Sequence, residues 1–257
     1  MNTNSNTYTV IYSTILVAIV AAVLAFTALV LKDKQDENIK VETISKILTA
    51  AGLYNAEEAA VIGNAYTIKR YENNIIAALV INAQGQEIDH MSIQGNNIEF
   101  KVNLAEQANL IKQGLKQDVQ LPVYIFNSGD RTLQVIPCYG AGLWGPIWGY
   151  IALEEDMNTI AGAVFDHKGE TPGLGAEIAN AKFYEQFIGK QIFDGEELVS
   201  ISIIKGGAPE GDLHGVDAIS GGTITSQALN NTIKTWLECY RPYFESFKQQ
   251  VVEMEEE

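Results

Sequence analysis

Hydroxyl side chains crowd one short, glycine-bearing stretch of this chain. Asp217-Ala-Ile-Ser-Gly-Gly-Thr223 is followed at once by Thr225 and Ser226. Gly221 and Gly222 let backbone N–H groups come close to an anion, and the amphipathic pattern that follows predicts a helix whose N-terminus favours negative charge. Ser220, Thr223, Thr225 and Ser226 place oxygens at the same point, so a phosphate would be well received there. On local chemistry Thr223 and Thr225 are nearly equal candidates for modification. Thr225 and Ser226 could equally cap the helix by accepting backbone N–H bonds. Asp217 and Ser220 suit either a recognised loop or ordinary turn chemistry.

Two further patterns lie upstream. One is Glu170-Thr-Pro-Gly-Leu-Gly-Ala-Glu177. The other runs from Leu143-Trp-Gly-Pro-Ile-Trp-Gly-Tyr150 through an acidic turn to Asn158-Thr159. The stretch ending at Thr223 closely resembles the flavinylation motif Asp-x-x-(Ser/Thr)-Gly-Ala-Thr, whose last Thr carries FMN through a phosphoester. The upstream patterns are similar to two other signatures of the same FMN-binding domain family. With one N-terminal apolar helix, the order resembles the C subunits of the Na⁺-translocating NADH:quinone reductases. The resemblance covers nearly the whole chain and is specific from about Gly142 to Leu237. Gly222 departs from it, standing where the family usually has Ala.

The resemblance implies that Thr223 is the acceptor of covalent FMN, with Ser220, Gly221, Gly222 and Thr225 around it. In the second loop, Thr171, Gly173, Leu174 and Gly175 would offer backbone groups to the flavin's pyrimidine edge and an apolar side chain to its ring, the glycines leaving room for close approach. Without the resemblance this loop reads as a structural turn before a helix. Glu170 and Glu177 flank it; paired carboxylates can do acid–base work, but fixing the loop or capping the helix is the simpler role. Trp144 and Trp148 could pack on the ring or in the core. Lys205, followed by Gly206-Gly207, could offset phosphate charge.

Composition narrows the rest. The chain has 257 residues, 47% apolar and 19% charged, enough for an anchor and one domain with a real core. A net charge of −15 argues against nucleic-acid binding, which needs Lys and Arg to neutralise phosphates. Cys138 and Cys239 are far apart and lack a metal-binding spacing. They read as free thiols, or as a disulfide if the domain faces an oxidising compartment. His90, His167 and His214 are dispersed.

Val10 to Leu31 contains no charged residue and as a helix spans roughly 33 Å, the thickness of a bilayer core. No basic residue precedes it, so it reads as a retained anchor rather than a signal peptide. Lys32 and Lys34 follow it, a small bias toward a cytoplasmic domain. The resemblance implies the opposite, a bacterial inner-membrane protein whose large domain is periplasmic, and that orientation is the one expected.

The expected architecture is α+β: a single N-terminal transmembrane helix, then an FMN-binding domain with a central antiparallel sheet flanked by helices. Residues 1–9 precede the anchor at 10–31; residues 32–135 form a membrane-proximal part, 136–248 the FMN-binding part and 249–257 an acidic, frayed tail. Residues 32–50 read as polar, then helical, and 50–58 as a short helical pattern. Tyr71–Phe100 reads as strands and turns broken at Gly85 and Gly95–Asn97, and Asn103–Lys112 as a helix. Strands are expected at 121–126, 133–137, 148–153, 159–165 and 200–204, with a helix at 179–189. Leu229, Ile233, Trp236, Leu237 and Tyr240 share one helix face.

The resemblance implies an electron-relay subunit with covalent FMN in a complex that oxidises NADH, reduces quinone and exports Na⁺, partnered by the other subunits and matured by a flavin transferase. No dinucleotide fingerprint is present, and one uncharged apolar helix offers no ion path, so NADH and Na⁺ sites are expected on other subunits. Two alternatives stand beside this reading: the G subunit of the related Rnf electron-transport complex, and a membrane-anchored assembly module without flavin.

Overall fold

A computed structural model of the chain describes residues 6–95 and 98–255, with side chains as far as Lys248. Residues 1–5, the breakers Asn96 and Asn97, and the last two glutamates lie outside the described residues. The chain divides into two compact units, residues 1–43 and 44–257.

The first unit is helical. Helix α1 (Asn6–Ala50) begins there and contains the whole apolar run. Phe26 is 70% exposed and Leu29 73%. The helix is long and apolar enough to cross a membrane. Thr14 and Thr27 donate their hydroxyls to the carbonyls of Val10 and Val23, each at 2.8 Å, which satisfies them without water. The charged stretch after Lys32, expected as polar chain, remains helical.

The second unit is built on a six-stranded antiparallel sheet. Its strands are β1 (Ile75–Ile81), β2 (Glu87–His90), β3 (Leu121–Ser128), β4 (Arg131–Ala141), β5 (Pro146–Leu153) and β6 (Ile160–His167), in the order β2-β1-β3-β4-β5-β6. Strand β4 straddles residue 136, so the two parts expected to divide there share one sheet.

Because successive side chains alternate across a strand, this sheet feeds two cores. Leu79, Val123, Ile136, Ile151 and Phe165 point to one, with α4 (Leu104–Lys112) and α6 (Thr223–Glu255) over it. Val80, Tyr124, Val135, Ala152 and Val164 point to the other, covered by Ile44, Ile47 and Leu48 and by Tyr71. The end of α1 lies directly on β6: a Cβ on Gly162 would sit 2.3 Å from the Ala50 carbonyl, so only glycine lets the backbones touch. An ion pair of Lys46 and Asp166 at 2.8 Å ties the same surfaces together.

Differences from the sequence reading are local. Two helices follow: α2 (Ala56–Ile62), which starts within the helical pattern read at 50–58, and α3 (Asn64–Asn74), which fills an unassigned stretch and runs into the segment from Tyr71 read as strands and turns. Only Thr67 and Tyr71 of α3 are buried, too few for a periodic stripe. The helix expected at 179–189 shrinks to α5 (Ala181–Tyr184) and flanking 3₁₀ turns. Short strands β7 (Phe193–Asp194) and β8 (Glu197–Leu198) follow. The strand at 200–204 is β9 (Ser202–Ile204), paired in parallel with β10 (Gly215–Asp217). The acidic end does not fray within the described backbone, which stays helical to Glu255.

Both cysteines are free and buried. Burial pushes the Cys138 thiol up to about 12, and burial likewise raises that of Cys239. Thiolate is the reactive form. Iodoacetamide at pH 7.5 is therefore expected to leave both residues unmodified in native protein and to alkylate both after unfolding in guanidinium; mass spectrometry of the two samples checks this.

Candidate functional site

Helix α6 positions the site. Leu229, Ile233, Trp236, Leu237 and Tyr240, the expected helix face, are all at most 2% exposed. Three hydrogen bonds of 2.7 Å pin the helix to the sheet: Trp236 Nε1 donates to the Tyr139 carbonyl, Tyr240 Oη to the Pro122 carbonyl and Tyr243 Oη to Gln134 Oε1. Asn230 Oδ1 accepts from Ile203 N at 2.7 Å, holding β9 and, through it, β10 beside the helix. The chain then turns at 218–222 into α6. Gly222 N donates to the Ile219 carbonyl, Ser226 N to the Gly222 carbonyl at 2.9 Å, and Ile219 N to Ser226 Oγ. Ser226 thus closes the turn. Asp217 holds the neighbouring loop, its Oδ1 accepting from Ala208 N at 2.7 Å.

A cleft of about 420 Å³ opens beside the start of α6, and three segments wall it. Leu143 and Trp144 come from the turn after β4. Glu170, Thr171, Leu174 and Gly175 come from the loop after β6. Gly221 to Thr225 come from the beginning of the helix. Most of the residues expected to form the site are here together. Gly173, Ser220 and Lys205 do not line the cleft, and Trp148 packs against the core under α1. A larger groove of about 820 Å³ lies between α4 and α6, lined by none of the expected site residues.

Glu170 is the knot of the cleft. It is 4% exposed. Its Oε1 accepts from Trp144 N at 2.8 Å and its Oε2 from Thr225 Oγ1 at 2.6 Å, so one carboxylate joins all three segments. Burial raises its pKa, but the hydrogen bonds from Thr225 and from the backbone of Trp144 and Leu143 outweigh burial and hold the carboxyl below its ordinary value. Glu177 fixes the other end of the loop, Oε1 accepting from Gly173 N at 3.1 Å.

Two of the glycines are required by this joint itself. A Cβ on Gly175 would lie 2.3 Å from Thr225 Oγ1 and 2.5 Å from Glu170 Oε2. One on Gly221 would lie 2.6 Å from Leu174 Cδ2. Gly173 has φ +76°, so its backbone conformation by itself favours glycine there. A Cβ on Gly222 would meet Ile219 Cγ2 at 2.9 Å, its Cβ at 3.1 Å and the Leu174 backbone at 3.3 Å, so the glycine relieves a tight fit between the turn and the neighbouring loop.

Burial separates the clustered hydroxyls. Thr225 and Ser226 are each 2% exposed and engaged, whereas Thr223 is exposed at the cleft's mouth. The first N–H groups of α6 have no partner within the helix, and they lie beside Thr223. The walls are apolar: Trp144 is 68% exposed and Ile224 59%. An exposed hydroxyl at a helix N-terminus, next to an apolar slot of this size, fits a phosphate-bearing flat ring. Ile224 escaped the sequence reading, where adjacency to Thr223 was its only signal, and Leu143 entered it only as the start of an upstream pattern, with no role given. Among the described residues no cluster of His, Cys, Asp or Glu could hold a metal ion.

Residues 142–238 match a family described as the FMN-binding domain. The C subunit of the Na⁺-translocating NADH-quinone reductase of Vibrio anguillarum is 33% identical over 88% of this chain and 89% of its own. The corresponding protein of Haemophilus ducreyi is 31% identical over 95% and 94%. Among solved structures, the chain is similar to the C subunit from Parabacteroides distasonis, at 32% identity and TM-score 0.68 over 83% of this chain and 96% of that one. It is also similar to NqrC from Shewanella oneidensis, at 28% identity and TM-score 0.64 over 82% and 99%.

The lowered pKa of Glu170 makes an acid-stability prediction. A carboxylate whose folded pKa is depressed contributes stability that is present above its unfolded value, here 4.5, and is lost as pH falls through the folded value. Glu170→Gln keeps the shape and loses the charge-assisted bonds. It is expected to lower stability at pH 7 by about 1–2 kcal/mol and to flatten the decline below pH 4.5. Urea denaturation of both proteins at a series of pH values reads both effects.

Proposed function

The chain belongs to the family of C subunits of the Na⁺-translocating NADH-quinone reductases, and on that premise we propose that it holds its FMN covalently through Thr223 Oγ1 with the ring in the cleft beside α6. It is an electron-relay subunit of a membrane complex that oxidises NADH, reduces quinone and exports Na⁺, and its partners are the other subunits. The observation that carries the site assignment is the exposure of Thr223 where Thr225 and Ser226 are buried. The relatives and solved structures named above are C subunits of that reductase, which disfavours the Rnf alternative, and the FMN-binding domain match disfavours a flavin-free assembly module.

When bound, the flavin supplies the redox chemistry; the chain supplies position and environment. Thr223 would fix the phosphate at the positive end of α6. Trp144, Leu174 and Ile224 would shield the ring from water, and backbone groups around Thr171 and Gly175 would orient its polar edge. Attachment would need a flavin transferase with FAD and Mg²⁺. Thr223 Oγ1 would take the FMN phosphoryl group from FAD, the pyrophosphate bond breaking, AMP leaving and the hydroxyl proton being released. Residues 10–31 would anchor the protein in a single pass, with residues 32–257 on the periplasmic side of the inner membrane, against the weak bias of Lys32 and Lys34.

Thr223→Ala, made alongside the transferase, is expected to give folded protein with no in-gel flavin fluorescence, while Thr225→Ala keeps the label. Fluorescence lost only in Thr225→Ala reverses the assignment. For topology, alkaline phosphatase fused after Glu257 is expected to be active and a cytoplasm-dependent fluorescent protein at the same point dark; the converse pattern overturns the periplasmic placement.

A further inference from the structure

We propose that Glu170 sets the reduction potential of the flavin by acting as a fixed negative charge in the cleft wall; the inference rests on the FMN placement proposed above. Glu170 is the sole ionisable side chain among the residues that line the cleft, and no Lys, Arg or His lies among them to offset it. The carboxylate is nearly sealed from solvent and cannot turn away, because Trp144 N and Thr225 Oγ1 hold its two oxygens. The His167 ring beside it accepts the Glu170 N–H at Nδ1, and its electrostatic pull is the smallest of the influences that hold the carboxylate ionised. A carboxylate held ionised by these donors has no proton to hand over.

Each electron taken up by a flavin adds one negative charge unless a proton follows. A neighbouring carboxylate disfavours that charge, so it lowers the potential, while the N-terminus of α6 acts the other way. A unit charge acting through an effective dielectric of about 20 shifts such an equilibrium about tenfold even from roughly 12 Å. Tenfold is about 59 mV for a one-electron couple. The pair of Glu170 and Thr225 also allows opposite perturbations: one substitution removes the charge, the other removes a donor that partly neutralises it.

The test is a dithionite titration with redox mediators on flavinylated full-length protein, each sample mapped by mass spectrometry to confirm FMN on Thr223. Glu170→Gln, which keeps the side chain's shape and a polar atom for each partner, is expected to raise the potential by a tenfold shift in the equilibrium. Thr225→Val, which leaves the carboxylate less neutralised, is expected to lower it. A potential unchanged in folded, loaded Glu170→Gln, or shifts of the same sign in both variants, overturns the proposal. Should Glu170→Gln fail to fold or load, Thr225→Val decides alone, and an unchanged or raised potential overturns it. Leu174→Ala tests the placement separately through flavin absorbance and fluorescence. An unaltered spectrum there removes the ring from the cleft and this inference with it. An altered spectrum with no potential shift in Glu170→Gln overturns the inference alone.

Discussion

Alternate residues of β3 to β6 feed two different cores, so neither face of the sheet can meet water. Burial of each large apolar side chain contributes about 1.5–3 kcal/mol, and that gain is available only if both faces are covered. The end of α1 and α3 cover one face; α4 and α6 cover the other. With its faces committed, the sheet can present function only at its ends and along its flanking helices. The cleft lies there, where the turn after β4, the loop after β6 and the start of α6 converge. The direction of α6 is set by its packing and by the bonds of Trp236, Tyr240 and Tyr243 to the strands beneath, so the position of Thr223 is a by-product of core formation.

At the convergence the balance of terms changes. Glu170 is buried with no cation lining the cleft beside it, an arrangement that costs several kcal/mol unless donors compensate. Three donors do so, two from backbone and one from Thr225. The glycines at 142, 175 and 221 make the geometry possible, because a Cβ at any of them would fall within 2.6 Å of Glu170, Thr225 or Leu174. Two phenomena that look separate in the sequence, a glycine-rich loop and a hydroxyl-rich helix start, are therefore two sides of one joint.

Much of the fold was legible because strong periodicity reports burial directly. The face of Leu229, Ile233, Trp236, Leu237 and Tyr240 is the buried face of α6, and the four long strands from Leu121 to His167 fall where apolar runs placed them. Helix α3 was illegible because it buries two side chains only, and the helicity of residues 32–40 because Ile39, its one apolar residue, cannot make a periodic pattern. For the site, motif register singled out Thr223, and local chemistry could not separate it from Thr225. The separation lies in the bond between Thr225 and Glu170, which are 55 residues apart in sequence. No window-based reading contains both.

The walls of the cleft come from positions near 143, 170 and 223, joined by β5, β6, β9 and β10. None of the three segments forms even half of the slot by itself. A nascent or misfolded chain therefore displays the hydroxyl-rich motif as bare sequence, with Thr225 as free as Thr223 and no slot beside either. The difference between the two threonines arises only once the sheet is closed and Glu170 has been sealed in. On the attachment proposed at Thr223, loading would then act as a checkpoint: a protein that acquires its redox group in that place would, by the same token, certify that its interior is complete before it joins an electron-carrying assembly.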